Sequence, residues 1–194
     1  MSRVSGITER VRLMVLRGEL PAGSRVVDLH LSERFDVGRG TLREVLNRLA
    51  GDGLLVANES GGMRVVSPGP DDLEELLQVR AALEGLSAAL AAGRVRDGAV
   101  RADGLEAQAS AQTVHEDRRF HRAIDVLAGN RANVQTLDRL WDRLVVATLD
   151  APAAPAGHRE LVAAITAGDA DEAADAARRH VLTQQTPASR LLRG

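Results

Sequence analysis

Apolar residues recur at three- and four-residue steps through most of this chain, and the points where that rhythm fails divide it into elements. Ile7, Val11, Met14, Val15 and Leu16 predict an opening helix, closed by Gly18 and Pro21-Ala22-Gly23. Val26 and Val27 read as a short strand or extended link, and Asp28 is placed to cap a helix around Leu31–Phe35. Leu42, Val45, Leu46 and Leu49 then give a third helix a buried face, while Arg39 and Arg43, one turn apart, project elsewhere. Leu54-Leu55-Val56 and Met63-Arg64-Val65-Val66, separated by a Gly-rich turn at Asn58–Gly62, predict a β-hairpin.

Two prolines and a glycine at Ser67-Pro68-Gly69-Pro70 can continue neither helix nor strand, which places a domain boundary there. Beyond it the helical period dominates. One helix runs from Asp71 to about Ala92, a broken stretch covers Gly93–Gly104, and a helix starting near Leu105 is interrupted before His115. Phe120, Ile124 and Leu127 mark the next helical face, and Val134, Leu137, Leu140, Trp141, Leu144 and Val145 another. A break at Ala151–Gly157 precedes a helical hairpin, His158–Ala167 and Ala170 to about Gln185, turned by Gly168-Asp169. The expected fold is mainly α: an N-terminal winged helix-turn-helix with a small β-hairpin (1–67), a linker (68–70) and an all-α helical bundle (71–194).

Composition sharpens this reading. With 44% apolar residues but only 2% aromatic, the core must be built from Leu, Val and Ala, which suits closely packed helices. No apolar run approaches the roughly 20 residues of a membrane span, and the first residues lack the apolar stretch of a signal peptide, so a soluble cytoplasmic protein without membrane partners is expected. The absence of cysteine excludes disulfides and thiolate metal sites, but not a metal held by histidine and carboxylate. Net charge is −2, yet residues 1–67 hold ten Arg against eight Asp or Glu, leaving the rest of the chain acidic.

Arg39 and Arg43 sit where a helix enters a DNA groove. A guanidinium is planar and always charged, so it grips a phosphate or takes guanine O6 and N7 bidentately. Thr41 adds a hydroxyl. Taken alone, such a pair is equally well the solvated face of an amphipathic helix, but the following hairpin favours DNA. In the second half, Asp117 and His121 stand one turn apart on a single helix face, with His158 at the start of a later helix and His180 near the end of the last. One carboxylate and three imidazoles suit zinc, nickel or manganese. The same residues also admit a purely structural reading: Asp117 paired with Arg118 or Arg122, His158 solvated, and His180 capping a helix C-terminus. His115, about 200° around the helix from Asp117, is expected at the surface.

Taken in order, several short motifs resemble those of the GntR superfamily of bacterial transcription regulators, in its FadR-like branch with a helical FCD ligand-binding domain. In the first half these are Gly18–Gly23, Leu31-Ser32-Glu33, Val37-Gly38-Arg39, Thr41–Leu46, Arg48-Leu49 and Asp52-Gly53-Leu54. In the second they are Arg80-x-x-Leu83-Glu84, Asp117-x-x-Phe120-His121, Gly129-Asn130, His158-x-x-Leu161-Val162, Gly168-Asp169 and His180. The resemblance implies that Arg39, Thr41 and Arg43 read double-stranded operator DNA while the wing at Gly61 and Gly62 reaches the minor groove. It also implies that Asp117, His121, His158 and His180 hold one divalent ion, zinc before nickel or manganese, and that Arg80 and Asn130 line a cavity for a small carboxylate effector. A homodimeric regulator, more often a repressor and not an enzyme, is the expected function. Gly38 and Gly40 depart from the family pattern, which has Ser or Thr, and Thr, at these positions. The alternatives are a metal-dependent hydrolase with an appended helix-turn-helix and a metal-free structural helical dimer. Against the hydrolase, the chain has no His-Glu-x-x-His helix, and Glu116 points away from Asp117.

Overall fold

The computed structural model describes residues 2–59, 61–149 and 156–193, with side chains described up to Thr183. The contacts separate two compact units, one of residues 1–68 with 145–149, the other of 69–144 with 150–194.

In the first unit, Ser2 caps α1 (Arg3–Leu16) by accepting the Ser5 N–H. α2 (Asp28–Phe35) is entered from Val27 without a side-chain cap, so Asp28 is the helix's first residue and acts through the helix dipole, not as the expected cap. A left-handed turn at Asp36 leads to α3 (Arg39–Gly51). The buried stripes of these helices, including Val11 and Val15, Leu31 and Phe35, and Leu42, Val45, Leu46 and Leu49, meet Leu54, Leu55 and Val65 in one core. Burying such a side chain stabilises the fold by about 1.5–3 kcal/mol. The hairpin β2 (Leu55–Ala57) and β3 (Met63–Val65) forms, but it is not alone. β1 (Arg25–Val26) pairs antiparallel with β3, giving a three-stranded sheet ordered β1-β3-β2.

The second unit is wholly helical among the described residues. α4 (Pro70–Arg96) starts with Pro at its first position, where no N–H is needed, and Asp72 accepts the Gly69 N–H. It continues through Gly93, where the sequence period suggests a break, because Ala88, Ala91 and Ala92 are fully buried in the core. α5 (Leu105–Gln108) is short, and Thr113 and Glu116 form a capping box that starts α6 (Val114–Ala128). α7 (Arg131–Thr148), α8 (His158–Ala167) and α9 (Ala170–Arg193) follow. Residues 150–155, most of the predicted break, lie outside the described residues.

α4 packs along α9 and also against α6 and α8. Alanines at 88, 91, 92, 173, 176 and 177 let these backbones approach, and Phe120, Ile124, Leu161 and Ile165 fill the space between them. The approach is close at Gly85, where an added Cβ would stand 2.9 Å from Arg178 Nε and 3.3 Å from the Ala174 carbonyl. No described helix is long and apolar enough to cross a membrane.

Candidate functional site

Asp117 and His121 project from one face of α6 toward His158, the first residue of α8, and His180 in α9. All four are buried, and one ligand atom from each lies within 4.8 Å of the other three. His180 Nε2 is 3.2 Å from both His121 Nε2 and His158 Nε2, and Asp117 Oδ1 is 3.1 Å from His158 Nε2. Since α9 runs on to Arg193, His180 lies well inside its helix and not near its C-terminus.

The opposite nitrogen of each ring is anchored outward. His158 Nδ1 donates to the Ala109 carbonyl at 3.0 Å, and His180 Nδ1 to the Ala156 carbonyl at 2.7 Å. A carbonyl can only accept, so these nitrogens carry the protons. His121 Nδ1 stands 2.9 Å from Glu84 Oε2. A ring with its proton on Nδ1 presents a bare Nε2 lone pair when neutral, and here three Nε2 atoms and a carboxylate oxygen face one another with neighbouring pairs 3.1–3.8 Å apart. Burial pushes His180 down to about 3, helped by the neighbouring His121 and then Arg80, so this ring does not relieve the crowding by protonating. Donors 2.0–2.2 Å from a shared ion stand roughly 3.0–3.5 Å apart. Three of the spacings fit that requirement and the fourth, His121 Nε2 to Asp117 Oδ1, is 3.8 Å, while the outward Nδ1 anchors are the usual support for metal-bound histidine.

Arg80, on α4, is 2% exposed. Its Nε donates to Glu84 Oε1 at 2.7 Å, its guanidinium lies 4.0 Å over the Trp141 ring, and Nη2 is 3.7 Å from Asp117 Oδ2. Burial alone would raise the Glu84 carboxyl, but Arg80 and His121 hold it down at about 2. Burial also acts to raise Asp117, and the adjacent His158, His121 and Arg80 outweigh it, keeping it well below the usual carboxylate range. Arg80, Glu84 and Asp117 thus form a buried charged network beside the three rings.

Asn130 lies at the entrance to α7, where its side-chain oxygen accepts the Asn133 N–H. The more deeply placed amide is Asn133, which donates to Ser87 Oγ and the Leu83 carbonyl. Asp125, one turn beyond His121, is also buried, and burial followed by the nearby Glu84 charge raises it to about 7 despite a hydrogen bond from Ser87. Glu84 and Asp125 escape a sequence reading. Arg80 and Glu84 have the i,i+4 spacing of an ordinary surface pair, and only packing reveals that both are buried.

In the first unit, Arg39 and Arg43 are exposed, with no hydrogen bond or ion pair among the described residues, and Thr41 between them is half-buried. Gly38 precedes α3 without a side-chain cap. Gly61 and Gly62 are exposed at the hairpin tip with positive φ, a conformation that favours glycine. His115 is exposed, and Arg118 and Arg122 pair with Asp142 and Asp138, not with Asp117.

Two family models match the chain: "Bacterial regulatory proteins, gntR family" over residues 3–65, and "FCD domain" over 75–183. A "Probable D-xylose utilization operon transcriptional repressor" of Paenarthrobacter nicotinovorans is 29% identical, over 91% of this chain and 84% of its own. The HTH-type transcriptional repressor GlaR of Escherichia coli is 26% identical, over 87% and 88%. Among solved structures, E. coli McbR/YncC superposes with a TM-score of 0.77 at 18% identity, covering 98% of this chain and 99% of its own. A GntR transcriptional regulator from Rhodococcus sp. RHA1 gives 0.71 at 22%, covering 99% and 98%. These relatives are regulators and not enzymes, which removes the hydrolase alternative. A winged helix-turn-helix followed by an FCD helical bundle makes this chain a member of the GntR family of bacterial transcription regulators.

Proposed function

We propose that this chain is a homodimeric repressor that reads operator DNA through Arg39, Thr41 and Arg43 and responds to a small carboxylate held beside a divalent metal. The observation that carries the metal half is the set of three histidine Nε2 atoms turned toward one another and Asp117, with the opposite nitrogens anchored outward. Asp117, His121, His158 and His180 would hold zinc, nickel or manganese. When bound, that ion supplies positive charge and an open coordination position for a carboxylate oxygen. Arg80, fixed over Trp141 by Glu84, presents a second positive group to the same ligand, with Asn130 farther out. The DNA half rests on Arg39 and Arg43, exposed one turn apart at the start of α3, and on the open tip at Gly61 and Gly62. The effector would act through different affinities for DNA-competent and DNA-incompetent states. A second copy is supported by Val79 and Leu86, exposed two turns apart on α4, with two winged helices then reading a palindrome. The compact units would correspond to domains 1–67 and 71–194 joined by a linker at 68–70.

The test combines metal analysis of untagged protein with DNA binding upstream of the chain's own gene. Wild type should carry about one metal per protomer, lost in His158→Ala, and prefer the upstream duplex over a shuffled one, a preference reduced in Arg39→Ala and Arg43→Ala. Metal-free protein that stays metal-free on titration removes the metal half. Equal, weak binding to both duplexes by wild type and variants removes the DNA half.

A further inference from the structure

The winged-helix unit contains ten arginines, and five are engaged. Arg12 meets Asp52 and Glu9, Arg34 meets Glu19, Arg48 meets Glu44, Arg3 reaches Asp36, and Arg10 lies over the Phe35 ring. Arg17, Arg25, Arg39, Arg43 and Arg64 are exposed, with no hydrogen bond or ion pair among the described residues. Two of these five have an unusual placement. Arg25 and Arg64 are direct partners in the β1-β3 ladder, and the next residue on each strand, Val26 or Val65, is buried. Side chains alternate across a strand, so both guanidinium groups rise from the outer face of the sheet as cross-strand neighbours. Like charges placed directly opposite destabilise a sheet. Neither Arg has a carboxylate to offset that repulsion.

We propose that Arg25 and Arg64 form a phosphate clamp, a contact with the DNA backbone separate from the recognition helix. A phosphate set between two guanidiniums relieves their repulsion and accepts charge-assisted hydrogen bonds from both forks. The occupant is nucleic-acid phosphate because β3 is the strand that leaves the open Gly61-Gly62 tip, and the same unit carries the unpaired Arg39 and Arg43. The clamp contributes affinity without sequence preference, since it touches no base edge. This inference rests on the reading of the first unit as the DNA-binding part.

The experiment measures fluorescence anisotropy with the upstream duplex and its shuffled counterpart across a salt series. Each phosphate contact contributes about 0.9 to the slope of log K against log salt. The Arg25→Ala/Arg64→Ala double variant should lower that slope by about 0.9 per protomer, one phosphate being lost. It should weaken both duplexes alike and leave their affinity ratio unchanged, whereas Arg39→Ala and Arg43→Ala reduce the ratio. Arg17→Ala, which removes an unpaired arginine outside the sheet, should leave the slope unaltered. Arg64→Glu gives Arg25 an opposite charge, so it should raise the unfolding midpoint without DNA while lowering the slope. A folded double variant with wild-type slope and affinity overturns the clamp, and so does a slope loss equal to that of Arg17→Ala. If wild type shows no preference between duplexes but the double variant still loses slope, the clamp stands and the sequence-specific reading falls. If wild type binds neither duplex, both fall.

Discussion

Arg43 and Arg80 are the same side chain in opposite circumstances. Arg43 stands in solvent on a helix of the winged unit without a carboxylate, whereas Arg80 is almost completely enclosed by Glu84, Trp141 and Asp117. Around the first, positive charge is left unbalanced at the surface. Around the second, buried charges of opposite sign face one another inside the bundle. An exposed guanidinium costs little to keep and is ready for a polyanion. An enclosed one can persist only within a network that leaves little unsatisfied, so its neighbours are as constrained as it is.

The sharpest way to break this contrast is to remove arginines one at a time. Arg80→Ala should destabilise the protein by about 3–5 kcal/mol, because Glu84 would be left buried without its main partner. Arg48→Ala, which removes an exposed pair with Glu44, should cost roughly 0.5 kcal/mol or less. Urea unfolding of the two variants measures both, and equal losses would erase the distinction between the units.

The next effect separates them by pH. Asp125 has its carboxyl raised to about 7, so the folded state keeps a proton that the unfolded chain releases near its ordinary pKa of 3.8. Stability should therefore fall as pH rises from about 4 to about 7 and then level off, by a few kcal/mol. Asp125→Asn should flatten that fall. Glu84 acts in the opposite sense: held at about 2, its contribution is complete above 4.5 and lost as pH drops toward 2. Chemical denaturation at a series of pH values reads both, and an unchanged slope in Asp125→Asn would remove Asp125 from the account.

A smaller change tests the support of the histidines. Glu84→Gln keeps the shape of the side chain but removes the charge facing His121 Nδ1, and it should weaken zinc binding by roughly 10–100-fold in a competition titration. Unaltered affinity would mean that Glu84 serves Arg80 alone. The smallest effects lie in the winged unit. An added Cβ at Gly40 meets nothing within 4 Å, so Gly40→Ala should stabilise α3 by up to ~1 kcal/mol, and Gly38→Ser by a few tenths through a restored cap. Thermal unfolding resolves the first of these.

The helical period alone located nearly every helix, because each has one apolar stripe facing a core. It stopped α4 too early because Gly93 reads as a breaker, and only the packing of Ala91 and Ala92 carries the helix past it. It also left β1 unpaired. Two residues have no measurable alternation, and their partner strand lies far along the chain. At the site, the turn between Asp117 and His121 is visible in the spacing. Residue type alone admits His158 and His180 as their partners, the family resemblance favours it over a structural role, and neither gives the roles of Glu84 and Asn133. A buried ion pair and a surface one share the same letters.

A chain without cysteine cannot tie distant helices together covalently, yet α6, α8 and α9 all bring side chains to one point. A tie made at that point resists unravelling only while ligands and ion stay engaged. Proteolysis samples opened forms, so with the proposed ion bound there the abundance of this regulator would follow how much metal the cell has to spare.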